Sequence, residues 1–261
     1  MLSIIFRDEH LVAIDKPAGL LVHRTPIDAR ERRFALQMLR DQLGCRVHAV
    51  HRLDKGTSGV LLFALSSQVG RALSAMFAER QLGKSYLAVV RGHPPAVGEI
   101  DHPLRRCFDP DVAGGEAARA SVQQAITRYR RLATIELPHR VDRYPSSRYA
   151  LLELDPLTGR QHQLRRHLKH IAHPVIGDAT YGKGAHNRLF RTLFGCDRLL
   201  LACAELRLEH PVTGVALTLT APLTRDFLRL IERFDWIGAL PRPWLPGAAG
   251  LSNRAGAGTA G

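Results

Sequence analysis

Residues 51–65 read His51-Arg52-Leu53-Asp54-Lys55-Gly56-Thr57-Ser58-Gly59-Val60-Leu61-Leu62-Phe63-Ala64-Leu65. One carboxylate, Asp54, stands between a guanidinium (Arg52) and an ammonium (Lys55). Gly56-Thr57-Ser58-Gly59 supplies a turn, and the apolar run that follows has the length and composition of a buried strand. A charged loop feeding a buried strand is fixed at its ends by the scaffold, which is where catalytic groups tend to sit. The same letters also fit a plain surface turn with one weak ion pair. The rest of the chain decides between the two.

The chain has 261 residues, 45% of them hydrophobic and 23% charged, which describes a globular protein with a sizeable core. No apolar run approaches the roughly 20 residues that span a bilayer. The N-terminus, Met1-Leu2-Ser3-Ile4-Ile5-Phe6-Arg7-Asp8, lacks the basic, apolar and small-residue regions of a signal peptide. Cys45, Cys107, Cys196 and Cys203 are widely spaced and form no C-x-x-C pair, as expected of free thiols in a reducing compartment. These readings point to the cytoplasm. Thirty-seven basic against twenty-four acidic residues give a net charge of +13. That excess calls for a polyanionic partner, and nucleic acid is the expectation, because basic side chains displace counterions from phosphates.

Working outward, 3–6 and 11–14 read as a hairpin around Arg7-Asp8-Glu9-His10, and Lys16-Pro17-Ala18-Gly19 as a turn. The spacing of Phe34, Leu36, Leu39 and Leu43 predicts a helix over 31–43. A second helix, capped by Ser66 or Ser67, carries Val69, Leu73, Met76 and Phe77 on one face. Residues 84–91 read as a strand, and 104–120 as a long exposed loop. Strands are expected at 122–129, 132–137, 149–154, 198–208 and 215–220, and a helix at 160–171. Pro222 is expected to open a final helix. The Gly/Ala-rich segment 245–261 reads as a disordered tail behind one domain, 1–244. The order of elements is strand-heavy and irregular, so the expected class is α+β, with a mixed, mainly antiparallel central sheet flanked by helices.

A second informative stretch runs from Leu154 through Asp155-Pro156-Leu157-Thr158-Gly159-Arg160-Gln161-His162-Gln163-Leu164-Arg165-Arg166 to His167. A strand ends, a Pro/Gly turn follows, and a helix begins with basic residues in its first turns, where anions are attracted. If Leu164, Leu168 and Ile171 face the core, Arg165 lies beside them and reaches inward. An inward arginine needs a carboxylate, and Asp54 is one candidate. Arg166 and Lys169 read instead as a solvated, phosphate-facing surface. His162, His167, His170 and His173 match no zinc spacing and have no cysteine nearby, so no metal is expected.

Taken together, several motifs resemble the RluA-type pseudouridine synthases. They are Lys16-Pro17-x-Gly19-x-x-Val22-His23, His51-Arg52-Leu53-Asp54-x-x-Thr57-Ser58-Gly59, Lys84-x-Tyr86-x-Ala88, Thr158-Gly159-Arg160-x-His162-Gln163-Leu164-Arg165-x-His167 and His173-Pro174-Val175-Ile176-Gly177-Asp178. The resemblance covers residues 3 to about 235, and these motifs fall in order between 16 and 178 of it. Within that family the chain is most similar to the TruC-type bacterial enzymes acting on uridine 65 of tRNA. That narrower likeness rests on Arg143-Tyr144-Pro145-Ser146-Ser147-Arg148-Tyr149 and Arg166-His167-Leu168. One departure stands out: after Arg198-Leu199-Leu200-Leu201 the family usually has histidine, and here Ala202 follows.

The resemblance implies the pseudouridine synthase fold without an RNA-binding module ahead of it. It also implies isomerisation of uridine in RNA, in which the glycosidic C–N bond breaks, uracil turns and a C–C bond forms. No redox change or net hydrolysis is involved, so no cofactor is expected. By the same resemblance Asp54 is the catalytic residue and Arg165 its ion-pair partner, an opposite charge that favours the ionised carboxylate. Tyr86 is the active-site tyrosine that stacks on the base. Arg52 fills the place of the flipped nucleotide or steadies it. Lys55, Arg160, Arg166 and His167 are expected to contact RNA. The expected partner is tRNA, with 23S rRNA or another tRNA position as alternatives, and neither a membrane nor an obligate protein partner is expected. An RNA-binding module or chaperone without catalysis is the reading of another class.

Overall fold

The apolar run after the Asp54 loop forms a strand whose seven residues, Ser58–Ala64, are all buried. A strand with no solvated face must be covered on both sides, and the rest of the fold is arranged around that demand. The computed structural model describes residues 1–24, 31–106 and 121–245.

In chain order the strands are β1 (Ser3–Arg7), β2 (Leu11–Lys16), β3 (His48–Ala49), β4 (Ser58–Ala64), β5 (Gly83–Arg91) and β6 (Val97–Asp101). They continue as β7 (Leu104–Arg105), β8 (Val122–Gln123), β9 (Ile126–Leu137), β10 (Ser147–Pro156), β11 (Leu201–Glu209) and β12 (Ala216–Thr220). The helices are α1 (Ala35–Leu43), α2 (Ser67–Ala78), α3 (Gln163–His170), α4 (Gly184–Phe194) and α5 (Arg225–Arg233). Among the described residues none is long and apolar enough to cross a membrane.

One ten-stranded sheet runs β1-β2-β4-β11-β5-β10-β9-β6, with β3 attached to β4 and β12 to β11. Among the described residues its strands pair antiparallel except β4 with β11, so the class is α+β with a mixed, mainly antiparallel sheet. At that parallel contact Gly59 faces Cys203 with φ +106°, and a Cβ there would lie 2.0 Å from the Cys203 carbonyl oxygen. Glycine is the residue that permits the approach.

The α1 and α2 helices cover β2 and β4, with Leu39, Val69 and Leu73 in one core cluster. Ser66 caps α2, its hydroxyl accepting from the Val69 N–H at 3.3 Å. The α4 and α5 helices bring Phe190, Phe227 and Ile231 into a second cluster with Leu87, Val89 and Leu151. On the other face of β5 and β10, α3 buries Leu164 and Leu168 against Ala88, Val90 and Leu152. Each such leucine contributes about 1.5–3 kcal/mol by leaving water. That is enough to seat a helix with a charged residue turned inward.

Several local expectations change. The segment 122–137 is one long strand, β9, preceded by the short β8, rather than two strands broken at 130–131. Leu152 pairs with Arg131 and Leu151 with Ala133, leaving Leu132 as a bulge that shifts the alternation. Leu104–Arg105 pairs with Val122–Gln123, so the ends of the expected 104–120 loop are a ladder; residues 107–120 lie outside the described residues. The final helix starts at Arg225, three residues after Pro222. Helix α4 was not expected at all. Of the cysteines, Cys45, Cys196 and Cys203 are free, and Cys107 lies outside the described residues, as does 246–261 of the expected tail.

Candidate active site

The Asp54 loop is pinned from three sides. His51 stacks on Phe77 at 4.6 Å, and its Nε2 accepts the Leu62 backbone N–H at 2.9 Å. Loss of water lowers the imidazole to about 3, with Lys84 adding to the effect, so the ring stays neutral and keeps that bond. Leu53 is buried in the β2–β4 core. The Thr57 N–H returns to the Asp54 carbonyl at 3.0 Å, closing the turn.

From behind, the Gly19 N–H donates to the Lys55 carbonyl at 2.7 Å. Lys16, fully buried, donates to the carbonyls of Leu20 (2.7 Å), Pro17 (2.9 Å) and Lys55 (3.3 Å). Burial, with Arg198 nearby, lowers its pKa to about 7. The lysine and glycine of the Lys16-Pro17-Ala18-Gly19 turn thus meet on the carbonyl next to Asp54.

The second wall comes from the turn before α3, and Gln163 organises it. Its Oε1 accepts the Thr158 hydroxyl (2.7 Å) and the Arg160 N–H (3.0 Å). Its Nε2 donates to the Ile126 carbonyl and to Thr127 Oγ1, both at 3.0 Å. This amide is buried and fully satisfied. It ties Thr158-Gly159-Arg160 to β9 and sets where α3 begins. His162, the residue before α3, adopts a left-handed conformation (φ 54°).

Arg165 then projects from the first turns of α3. Its Nη1 donates to Asp54 Oδ2 at 3.1 Å, while Nε and Nη2 donate to Asp178 Oδ2 and Oδ1 at 2.7 and 2.9 Å. The guanidinium also lies over the Tyr181 ring at 5.1 Å. Burial opposes its charge, but the two carboxylates outweigh burial and raise its pKa. Asp178 is fully buried in its side chain. Burial pushes its carboxyl up, yet Arg165 and the Tyr181 N–H hold it below the usual carboxylate range. His162 stands 3.9 Å from Asp54 Oδ1, and its Nδ1 is 3.1 Å from the Tyr181 hydroxyl. Burial lowers its pKa despite the carboxylate.

These walls enclose a cavity of about 650 Å³ lined by Asp54, Arg165, His162, Tyr86, Lys84 and Arg52, among others. Tyr86 enters from β5, where it pairs with Leu154 on β10 and Cys203 on β11, and is half-buried. Burial, helped by Cys203, raises its phenol well above the ordinary value, so it stays protonated. Ala202, the residue that departs from the resemblance, belongs to the core cluster of Leu87 and Ile176, while its neighbour Leu201 lines the cavity.

The expected RNA-contacting residues divide. Arg52, exposed, and Arg160 line the cavity, and Arg160 Nε donates to the Gln124 carbonyl at 3.1 Å. Lys55 points elsewhere and pairs with Glu31 at 2.8 Å. Arg166 donates to the Arg105 carbonyl at 2.8 Å. His167 corrects the expectation: it is fully buried, with Thr127 Oγ1 2.9 Å from Nδ1 and the His102 carbonyl 3.0 Å from Nε2. A side chain with no exposed surface and both nitrogens engaged is a brace between α3 and β9, not a surface contact. Of the four histidines of the 162–173 stretch, His167 and His170 both meet His102, with ring centroids 6.5 and 3.7 Å from its own, and no group of three or more His, Cys, Asp or Glu side chains placed to hold a metal occurs among the described residues.

Asp178, Tyr181, Gln163 and Lys84 carried no assigned role in the sequence. The five N–H donors of a guanidinium ask for more than one carboxylate, but Asp178 itself was marked only as the last residue of the His173–Asp178 motif.

Comparison with known proteins agrees with this geometry. The family model described as RNA pseudouridylate synthase matches residues 10–170, more than half of the chain. A Vibrio vulnificus protein named tRNA pseudouridine synthase C is 46% identical over 240 residues, 92% of this chain and 98% of the relative. The Haemophilus influenzae protein of the same name is 44% identical over 236 residues, covering 90% and 99%. Among solved structures, human RNA Pseudouridylate Synthase Domain Containing 4 is 29% identical with a TM-score of 0.65, covering 89% of this chain and 93% of the other. Human RNA Pseudouridylate Synthase Domain Containing 1 is 25% identical with a TM-score of 0.64, covering 98% and 89%.

Proposed function

The chain belongs to the RNA pseudouridylate synthase family, and from that premise we propose that it isomerises one uridine of tRNA, uridine 65, to pseudouridine. The observation that carries the reading is the Asp54 carboxylate held by Arg165 at the floor of a cavity that also receives Tyr86. The tRNA substrate is taken from the names of relatives more than 40% identical over nine-tenths of the chain. The position within tRNA rests on the TruC-type motifs. The working place is the cytoplasm, where bacterial tRNA is processed.

In this reading Asp54 meets the flipped nucleotide at the sugar C1′ or the uracil C6. Arg165, itself locked by Asp178, fixes the direction in which the carboxylate points. Tyr86 stacks on the base. Arg52, exposed at the cavity, occupies the space the uridine leaves in the RNA and offsets a flipping cost of about a few kcal/mol. The +13 charge holds the polyanion.

The experiment is a single-nucleotide map of pseudouridine in tRNA and rRNA from a strain lacking the gene, with and without the gene restored. Loss at tRNA position 65 alone, recovered on complementation, is the expected result. Loss at a different position overturns the substrate assignment, and no loss anywhere overturns the function.

A further inference from the structure

Three cations at the cavity, Lys84, Arg80 and Arg106, have no role in the proposed reaction, and Lys84 differs from the other two in its burial. Lys84 lies on β5 two residues before Tyr86, and both side chains line the cavity, about 6.7 Å apart along the strand. A Cβ added at Gly159 would lie 3.9 Å from Lys84 Nζ, which places the ammonium beneath the Thr158–Arg160 turn. Among the described residues it makes no ion pair within 4 Å and no hydrogen bond, although Asp155 and Cys203 act on it at longer range. Burial lowers its pKa, so its charge is held against a desolvation cost without a direct partner. The other buried lysine of this region, Lys16, has three carbonyl acceptors, and cations of the neighbouring cavity have carboxylate partners. The second large cavity, about 670 Å³, contains Arg91 bonded to Asp142 and Arg148 bonded to Glu136.

The other unassigned cations at the active-site cavity, Arg80 and Arg106, are exposed, like Arg52, and suit phosphates. Lys84 is half-buried beside the stacking tyrosine, where the base rather than the backbone arrives. The isomerisation builds negative charge on that base by either route. If C1′ is relieved first, the electron pair of the C1′–N1 bond leaves with uracil and spreads to O2 and O4. If a nucleophile adds at C6, the displaced pair of the C5–C6 bond moves onto O4 as an enolate. In both cases C5 finally bonds C1′ and loses its proton, and N1 gains one, so the reaction closes without a co-reactant.

We propose that Lys84 is a further catalytic residue whose ammonium donates a hydrogen bond to the uracil carbonyl oxygen that becomes negative as the base is released. Preorganised donors at such an oxygen change rates by about 10²–10³. The inference rests on reading the cavity as a uridine-isomerising site.

The test compares wild type, Lys84→Met and Lys84→Arg as full chains on tRNA carrying tritium at uridine C5, in single turnover, with binding measured separately. The expected result is a loss of about 100-fold or more in the rate for Lys84→Met, with tRNA affinity within about threefold of wild type. Lys84→Arg recovers part of the rate. On 5-fluorouridine tRNA, whose base is a more stable anion, the Lys84→Met deficit in glycosidic cleavage shrinks. Should Lys84→Met fail to fold, Lys84→Gln carries the same comparison. An unchanged rate, equal deficits on both substrates, or weaker binding with the salt dependence reduced by about one phosphate contact overturns the proposal. A wild type that converts no uridine overturns the functional reading and this inference together, whereas an active wild type isolates Lys84.

Discussion

Arg165 touches Asp54 through a single nitrogen, Nη1, at 3.1 Å, while the opposite edge of its guanidinium is clamped by Asp178 at 2.7 and 2.9 Å. The ion pair at the cavity is therefore the exposed end of a three-residue chain. The buried end, Asp178, also accepts the Thr180 and Tyr181 N–H groups at 2.9 Å each. Two carboxylates are needed because one would leave guanidinium donors unsatisfied in a region where that is costly.

Asp178→Asn puts an amide donor where Arg165 needs an acceptor. Breaking a buried pair from one side costs about 3–5 kcal/mol, and the urea midpoint should fall accordingly. Turnover should drop about 100-fold with tRNA affinity retained, since Asp54 loses its fixed direction. The pH dependence has a definite sign. Asp178 is held below its unfolded pKa, so its contribution is complete above about pH 4 and is lost as pH falls through the folded value. The variant should show a shallower loss of stability in acid than the wild type.

Gly59→Ala places a methyl 2.0 Å from the Cys203 carbonyl oxygen at a φ of +106°. Strain and the forced separation of β4 from β11 should cost more than about 2 kcal/mol, read as a lower melting temperature. Gly44→Ala, with open space around the added Cβ, carries only the left-handed backbone penalty and is the control.

Arg52→Ala should slow conversion of folded tRNA by about tenfold or more and leave a short, unstructured uridine oligonucleotide nearly unaffected. Single-turnover rates on the two substrates provide the comparison. Full activity on folded tRNA would remove Arg52 from the flipping step.

The parts of the site legible in the sequence were the contiguous ones. Asp54 and Arg165 each sit in a dense motif on a strand–turn or turn–helix junction, and the leucine stripe of α3 gave the inward direction of Arg165. Asp178 and Tyr181 reach the site only because the chain reverses after α3, and no local pattern encodes that reversal. His167 misled because its basic neighbours, Arg166 and Lys169, suggested a solvated face, although a residue four positions after Gln163 shares that residue's buried side of the helix. β9 reads as two strands in the sequence because the bulge at Leu132 breaks the alternation by which strands are recognised. Helix α4 has few apolar positions before Leu189, so its first turns carry no core-facing stripe.

In the proposed reaction Asp54 is the group without which no bond is broken, whereas the +13 charge serves to hold the RNA. Asp54→Asn keeps the shape of the side chain and removes its charge. Tritium release from C5-labelled tRNA should become undetectable in single turnover, while tRNA affinity stays within about threefold of wild type. A variant that retains more than a few per cent of the wild-type rate, or loses binding in parallel with activity, would contradict the account.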